Sequence, residues 1–129
     1  HTIEIDDEIE DLARANFALS EHGHKITLHM GDAMDILSSF ADESFDMAFM
    51  DGDKKAYWDH YEALLPKLRS GGFILADNTL WYGKVVQKVP GNDHSTLGIL
   101  DFNKKLSGDS RVEKVILPVR DGLTLIRKK

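Results

Sequence analysis

Acidic and amide side chains stand directly after two strongly apolar segments of this 129-residue chain. Asp51 follows the apolar run 45–50, and Asp77 and Asn78 follow the run 73–76. If the two runs form adjacent parallel strands, about 4.8 Å apart, these three side chains can meet around one ion. Carboxylate and amide oxygens suit Mg²⁺, Mn²⁺ or Ca²⁺ and suit zinc poorly, and three protein ligands leave positions for water or substrate. The pattern therefore predicts an open divalent-cation site of the catalytic kind.

Two further side chains have positions suited to catalysis or ligand binding. Lys54 lies three residues beyond Asp51, near enough to reach a substrate held on such a cation. A lysine acts as a base only in its neutral form, which a nearby cation or partial burial favours and adjacent carboxylates oppose, so the residues leave this role open. Glu4 ends the first predicted strand, where an acid typically accepts hydrogen bonds from ribose hydroxyls. A nucleoside-containing cofactor fits that position.

Each of these residues also has a structural interpretation, because acids and asparagines at strand ends commonly cap helices or form turns. Asp51 and Asp53 after an apolar strand also fit the nucleophile of a phosphotransferase, which is the rival enzyme hypothesis. A calcium-binding loop is excluded because Ala56 stands where that loop requires glycine. The six histidines show no ligand spacing. Trp81 and Tyr82 fit either a packed core or the aromatic wall of a site for a flat substrate.

The composition removes several classes of function. With 22 acidic and 16 basic residues the formal net charge is −6, which argues against a nucleic-acid partner. The absence of cysteine excludes disulfides, thiolate zinc sites, iron–sulfur clusters and a thiol nucleophile. No apolar run is long enough to span a bilayer, and no basic-then-apolar leader opens the chain. We expect a soluble, cytoplasmic protein with a small-molecule substrate and no membrane partner.

The elements that position these residues alternate between strand and helix patterns. We expect strands at residues 2–6, 25–30, 45–50, 73–76, 112–119 and 123–126. We expect helices at four places: from a capping box at Asp7 to a stop near Gly23, after Gly31-Asp32, from Tyr57 to Gly71-Gly72 with a break at Pro66, and around Ile99, Phe102 and Leu106.

This alternation predicts an α/β, Rossmann-like fold in a single domain over residues 1–129. Its sheet is expected to be mostly parallel with helices on both faces, so that the strand 45–50 is covered on both sides. The turn-like residues 120–122 predict a C-terminal antiparallel hairpin. The connection from Leu80 to Ser95 is the candidate mobile loop.

Three segments of the chain carry a family resemblance: FDMAFMDGDK at 45–54, ADNTLWYG at 76–83 and LPVRDGLTL at 117–125. Together with TIEID at 2–6 and GDA at 31–33, they resemble the cation-dependent O-methyltransferases of the catechol and caffeoyl-CoA type, especially small bacterial members. That resemblance implies a class I methyltransferase fold and transfer of a methyl group from S-adenosylmethionine to one hydroxyl of a vicinal diphenol. It also implies a homodimer.

The resemblance assigns roles to individual positions. It implies that Asp51, Asp77 and Asn78 hold the metal, that Lys54 is the base and that Glu4 binds the ribose, with cofactor contacts at Ala33 and Asp53 and a substrate pocket lined by Trp81 and Tyr82. A non-catalytic nucleotide-binding or assembly module that has kept the same sheet is the alternative from another class.

The sequence departs from the family pattern at its start and in its last turn. The family has a central strand, a glycine-rich loop and further helices upstream of the segment that begins here at Thr2. We therefore expect a fragment of a longer enzyme, whose sheet has a gap, exposed apolar surface and low stability. Arg120 stands where the family usually has a small residue.

Overall fold

The computed structural model describes all residues from His1 to Lys129. By its backbone contacts the chain divides into two compact units, His1–Phe40 and Ala41–Lys129. The strands likewise form two sheets, one of two strands and one of four. That these units make up a single domain stays a prediction.

The first unit is a short parallel strand pair with its connecting helices. In chain order it contains β1 (Thr2–Glu4), a 3₁₀ turn (Asp7–Ile9), α1 (Glu10–Ala18), a 3₁₀ turn (Gly23–Lys25), β2 (Leu28–Met30) and α2 (Ala33–Ser39). The expected capping box at Asp7 is wrong, because the carboxylate of Asp6 caps this turn by accepting the Glu8 N–H.

The predicted helix stop at Gly23 is also wrong, since α1 ends at Ala18. A Cβ at Gly23 would lie 2.0 Å from the Phe17 carbonyl oxygen, so the glycine permits a close backbone approach beyond the helix end. The 3₁₀ turn at Gly23–Lys25 delays the second strand to Leu28, three residues later than expected.

The second unit is a mixed sheet with two helices. Its strands are β3 (Phe45–Met50), β4 (Leu68–Ala76), β5 (Val112–Leu117) and β6 (Leu123–Lys128), in the order β3-β4-β6-β5. β3 and β4 are parallel, whereas β6 is antiparallel to both β4 and β5, which confirms the C-terminal hairpin. Its α-helices are α3 (Tyr57–Leu64) and α4 (His94–Gly108), with 3₁₀ segments at Lys54–Ala56, Leu65–Lys67 and Trp81–Val86.

Pro66 ends α3 as expected, but Gly71 and Gly72 lie inside β4 and do not terminate a helix. Gly71 has φ of +80°, and a Cβ at Gly72 would lie 2.9 Å from the Asp46 carbonyl oxygen of β3. The register between β3 and β4 shifts near this point. The glycines therefore mark a strand irregularity with close backbone contact.

The core of the second unit lies between the sheet and the two helices. Apolar positions predicted from helical spacing are buried, among them Tyr57, Tyr61, Ile99, Phe102 and Leu106. From the sheet, Met50, Ile74, Ala76 and Ile126 join the same cluster. This packing fixes the carboxyl ends of β3 and β4 relative to α3 and α4.

The expectation that β3 is covered on both faces is wrong. Met50 is buried, but the side chains of Met47 and Phe49 are 62% and 61% exposed. β3 is an edge strand of its sheet, so it lacks a neighbour on one side. β3 therefore presents exposed apolar surface at the edge of this sheet. No helix has the length and apolar character needed to cross a membrane.

A charged cluster ties α3 to the segment between α4 and β5. The Asp109 carboxylate accepts hydrogen bonds from the Tyr61 hydroxyl, at 2.8 Å, and from Arg111 Nη2, at 2.6 Å. Arg111 also pairs with Glu62 on α3. The hydrogen bond from the Arg111 guanidinium holds the pKa of the Asp109 carboxyl well below its ordinary value. Ionised Asp109 therefore stabilises the folded chain.

This charged cluster predicts how the free energy of unfolding depends on pH. Because the folded-state pKa of Asp109 is depressed, its contribution is present above the unfolded value of about 3.9 and is lost as pH falls through the folded value. Urea unfolding measured from neutral pH to about pH 2 should therefore lose free energy of unfolding less steeply in Asp109→Asn than in the parent chain. Asp101→Asn, which removes an exposed partner of Lys105, is the matched control. Equal acid slopes for Asp109→Asn and the parent chain would refute this assignment.

Candidate functional site

A cavity of about 290 Å³ lies at the carboxyl ends of β3 and β4. Its lining residues carry three carboxylates, one amide, one phenol and one guanidinium; they are Asp51, Asp77, Asn78, Tyr82, Arg120 and Asp121. The three predicted metal ligands are thus brought to one cavity, although they come from two strand ends separated by 25 positions in the sequence. Their metal binding stays a prediction.

Strand pairing explains why these side chains converge. Met50 pairs with Ala76 in the parallel ladder, and the Asp77 N–H continues the ladder by donating to the Met50 carbonyl at 3.1 Å. Asn78 then adopts a left-handed conformation with φ of 58°, which asparagine tolerates better than most residues. The chain therefore turns out of the sheet directly at the cavity.

The hydroxyl of Tyr57 links the carboxyl ends of β3 and β4 through hydrogen bonds. Its oxygen lies 2.8 Å from the Met50 carbonyl oxygen and 2.6 Å from the Asp77 carbonyl oxygen, so its single proton is shared between these acceptors. The same oxygen accepts a hydrogen bond from Lys54 Nζ at 2.8 Å. Burial raises the pKa of Tyr57 well above its ordinary value, and the carboxylates of Asp51 and Asp77 raise it further. The phenol therefore stays a donor.

Lys54 is the best-fixed charged group near the cavity. Its residue is only 7% exposed, and Nζ donates to Asp51 Oδ1 at 2.7 Å as well as to Tyr57. Lys54 does not itself line the cavity; it reaches the cavity through Asp51. The buried ammonium group of Lys54 is thus held beside Asp51, the first predicted metal ligand.

The oxygen atoms left without partners suit a hard cation. Asp51 Oδ1 pairs with Lys54 and Asp77 Oδ1 accepts the Asn78 N–H, whereas the second oxygen of each carboxylate and the Asn78 amide make no hydrogen bond. No three histidine, cysteine, aspartate or glutamate side chains cluster as a metal site. A cation at this cavity would therefore need the Asn78 amide beside two carboxylates, a donor set that fits Mg²⁺, Mn²⁺ or Ca²⁺.

The segment after Asn78 is strained and is held by the hairpin turn. Trp81, Tyr82 and Gly83 all have positive φ, at 46°, 55° and 72°. The Asp121 carboxylate accepts the Tyr82 N–H, and the Asp121 carbonyl accepts the Leu80 N–H at 2.9 Å. Strained backbone of this kind persists only where its surroundings fix it, and it is typical of ligand sites.

The structure separates the two aromatic residues that the sequence predicted as a pocket wall. Tyr82 lines the cavity and is 76% exposed. Trp81 instead packs against the hydrophobic core, where its indole N–H is buried without a hydrogen-bond partner. Of the pair, only Tyr82 lines the cavity, and contact of either residue with a substrate stays a prediction.

The predicted cofactor residues lie in both units. In the first unit, Glu4 Oε1 accepts two backbone N–H groups at 2.8 Å, which leaves Oε2 without a partner, and Ala33 is the first residue of α2. In the second unit, the exposed Asp53 carboxylate accepts the Lys55 N–H at 3.2 Å. Cofactor contact by these three residues stays a prediction.

Two residues of the site, Tyr57 and Asp121, were missed by sequence reasoning. Tyr57 reads as one more apolar position of α3, and only its place three residues after Lys54 connects it with the site. Asp121 precedes the last strand, and the first residues of an antiparallel strand lie at the same sheet edge as the last residues of a parallel one. That topological rule could have identified Asp121.

Comparisons with known proteins show which family this chain is similar to. The O-methyltransferase family model matches residues 1–129. Tricin synthase 2 of Oryza sativa subsp. japonica is 39% identical over 140 residues, which cover 98% of this chain and 47% of the rice protein. Caffeoyl-CoA O-methyltransferase 2 of Zea mays is 42% identical over 116 residues, covering 82% of this chain and 44% of the maize protein.

A solved structure shows the same architecture. The crystal structure of the O-methyltransferase from Bacillus cereus in complex with SAH is similar with a TM-score of 0.88 and 27% identity, and the match covers 99% of this chain and 61% of that one. The chain spans about half the length of the curated relatives it matches.

The close contact between the hairpin turn (120–122) and the strained segment (81–83) with its neighbour Leu80 predicts an effect of substitution on the free energy of unfolding. Gly122 has φ of +85°, and a Cβ there would lie 2.4 Å from Leu80 Cγ. Gly122→Ala should therefore lower the free energy of unfolding by at least about 1–3 kcal/mol, as measured by urea denaturation. Gly91→Ala is the control, because a Cβ at Gly91 has no neighbour within 4 Å, and its effect should stay below about 1 kcal/mol. If the two variants unfold alike, the proposed close approach at Gly122 does not exist.

Proposed function

The chain belongs to the O-methyltransferase family, and from that premise we propose that the protein transfers a methyl group from S-adenosylmethionine to one hydroxyl of a vicinal diphenol. The observation that carries this proposal is the convergence of Asp51, Asp77 and Asn78 on one cavity, with free oxygens on all three side chains. A site of this kind can hold a divalent cation and still leave positions open for the two oxygens of a diol.

The cofactor assignment draws on a relative and on this chain's own residues. The Bacillus cereus structure contains SAH, the product that remains when S-adenosylmethionine has lost its methyl group. In this chain Glu4 keeps one carboxylate oxygen without a partner, as ribose recognition requires, and Ala33 and Asp53 complete the proposed contacts. Methyl transfer breaks the sulfur–carbon bond, forms an oxygen–carbon bond and releases the hydroxyl proton.

The chain's residues would prepare and align the nucleophile. A divalent cation held by Asp51, Asp77 and Asn78 would favour the ionised form of the substrate hydroxyl. Lys54 Nζ, fixed beside Asp51, is proposed as the group that takes the hydroxyl proton. Tyr82 would bound the aromatic ring at the exposed side of the cavity. Since the methyl group and attacking oxygen must be in line, positioning is the main contribution of the protein.

The rival enzyme hypothesis is less well supported by this geometry. A phosphotransferase would use Asp51 as nucleophile and Asp53 as its partner, but Asp53 does not line the cavity and its carboxylate instead accepts the Lys55 N–H. A non-catalytic binding module would also bind the cofactor, and turnover separates that alternative from the proposed enzyme.

We also propose that the protein acts as a homodimer. Supporting this, the strand β5 lies at the edge of its sheet and carries apolar residues that are partly exposed to solvent. The exposed fractions are 51% for Val115, 46% for Ile116 and 37% for Leu117. An edge strand of this composition is suited to pairing with another chain.

The metal assignment predicts the effect of changing Asp51. In full-length protein, Asp51→Asn should weaken Mn²⁺ or Mg²⁺ binding by at least about 100-fold and abolish cation-stimulated methylation, because it removes one of two charged ligands. Asparagine keeps an oxygen acceptor for Lys54 and so favours correct folding. Calorimetry measures cation binding, and S-adenosylmethionine affinity measured on the same variant reports the integrity of the fold. Asp59→Asn, at an exposed position of α3, is the control. Parent-like cation affinity in Asp51→Asn would defeat the assignment.

The proposed base predicts a kinetic effect without a binding effect. Lys54→Met should lower kcat by about 10²–10⁴-fold, because no group remains to accept the hydroxyl proton, while the Kd for S-adenosylmethionine changes little. Lys55→Ala, at the exposed neighbouring position, should keep parent-like kcat. The role of Lys54 is lost if kcat of Lys54→Met equals that of the parent enzyme.

A further inference from the structure

Arg120 is the only cationic side chain that lines the cavity, and its guanidinium makes no hydrogen bond or ion pair. This is unusual beside so many acids, because three carboxylates line the same cavity. Each of those carboxylates uses one oxygen elsewhere, Asp51 with Lys54, Asp77 with the Asn78 N–H and Asp121 with the Tyr82 N–H, and none of their second oxygens pairs with Arg120. The five donors of the guanidinium therefore remain available to a ligand.

The backbone at Arg120 is strained. The Gly122 N–H donates to the Val119 carbonyl at 2.9 Å, which closes a tight turn with Arg120 as its first central residue. Arg120 has φ of 48°, a left-handed conformation that favours glycine at this turn position. An arginine here costs stability that a glycine would not, and its guanidinium makes no hydrogen bond or ion pair that would offset this cost. Strained residues of this kind are enriched at ligand sites.

The position of Arg120 relative to the reacting groups defines what it can bind. The oxygens of Asp51, Asp77 and Asn78 are proposed to hold the cation that binds the diol. Arg120, elsewhere in the same lining, would then face another part of the substrate. The cavity of about 290 Å³ has room for one aromatic ring with a short substituent. A guanidinium pairs best with a carboxylate, through two parallel hydrogen bonds.

We propose that Arg120 determines substrate specificity by binding a carboxylate carried on the ring of the diphenol, so that the preferred substrates are dihydroxyaryl carboxylates. This inference rests on the proposed function and narrows its substrate class. Neutral diphenols would occupy the same cavity without the pairing to Arg120, and would be poorer substrates for that reason.

A matched pair of substrates tests this role in the full-length protein. 3,4-Dihydroxybenzoate and its methyl ester carry the same diol and differ in the charge of the substituent. The parent enzyme should show a kcat/KM about tenfold to a hundredfold higher for the acid, the value expected for a charged hydrogen bond. Arg120→Gly should bring the ratio near one by raising KM for the acid, and should leave the ester unchanged.

Two further variants sharpen the comparison. Arg120→Lys keeps the charge and should retain part of the preference, and Lys88→Ala removes an exposed cation outside the cavity and should retain all of it. Because glycine relieves the strain at φ of 48°, Arg120→Gly should unfold at a temperature no lower than the parent protein.

The outcomes separate this inference from the proposed function. If both compounds are methylated and Arg120→Gly changes them equally, or if the parent enzyme prefers the ester, Arg120 does not select a carboxylate. If neither compound is methylated, calorimetry decides: tighter binding of the acid that Arg120→Gly abolishes supports the role of Arg120 and contradicts the proposed reaction. Equal binding of both compounds by the parent protein contradicts the role of Arg120 as well.

Discussion

The hydroxyl of Tyr57 is the contact on which the site depends. One buried oxygen contacts the last carbonyl of β3, the carbonyl of Asp77 after β4 and the ammonium of Lys54, each within 2.8 Å. Two strand ends that are far apart in sequence are thereby held together, and the lysine is directed at Asp51. Because burial raises the pKa of the phenol, this junction stays protonated and intact across the physiological range. The carboxylates beside it, by contrast, keep free oxygens for a ligand.

The hairpin turn contributes two further residues of the lining, Arg120 and Asp121. Gly122 and Asp121 hold the strained segment that carries Tyr82, while Arg120 in the same turn contributes the only cationic side chain of the lining. One turn therefore supports the proposed aromatic wall and supplies the proposed specificity group. The proposed role of Arg120 would account for a left-handed arginine two residues before Gly122, which itself has φ of +85°.

Much of this organisation was predictable from the sequence because it depends on local patterns. Apolar periodicity and turn residues predict the bounds of β3, the helix that contains Ile99, Phe102 and Leu106, and the final hairpin. The structure confirms these three predictions. The acids after β3 and β4 could be selected as candidate site residues because ligands gather at the carboxyl ends of parallel strands. What failed were glycines whose role is close backbone approach, as at Gly23 and Gly72. The exposure of β3 depends on its place at the edge of the sheet, which no local pattern within the strand encodes.

The central claim is that Asp51, Asp77 and Asn78 together hold one divalent cation. Anomalous diffraction from crystals of the full-length protein grown with Mn²⁺, recorded on both sides of the manganese absorption edge, tests it most directly. The account predicts one strong anomalous peak within about 2.0–2.6 Å of oxygens from all three side chains. A well-ordered cavity with no peak at saturating Mn²⁺, or manganese bound only elsewhere, would contradict it.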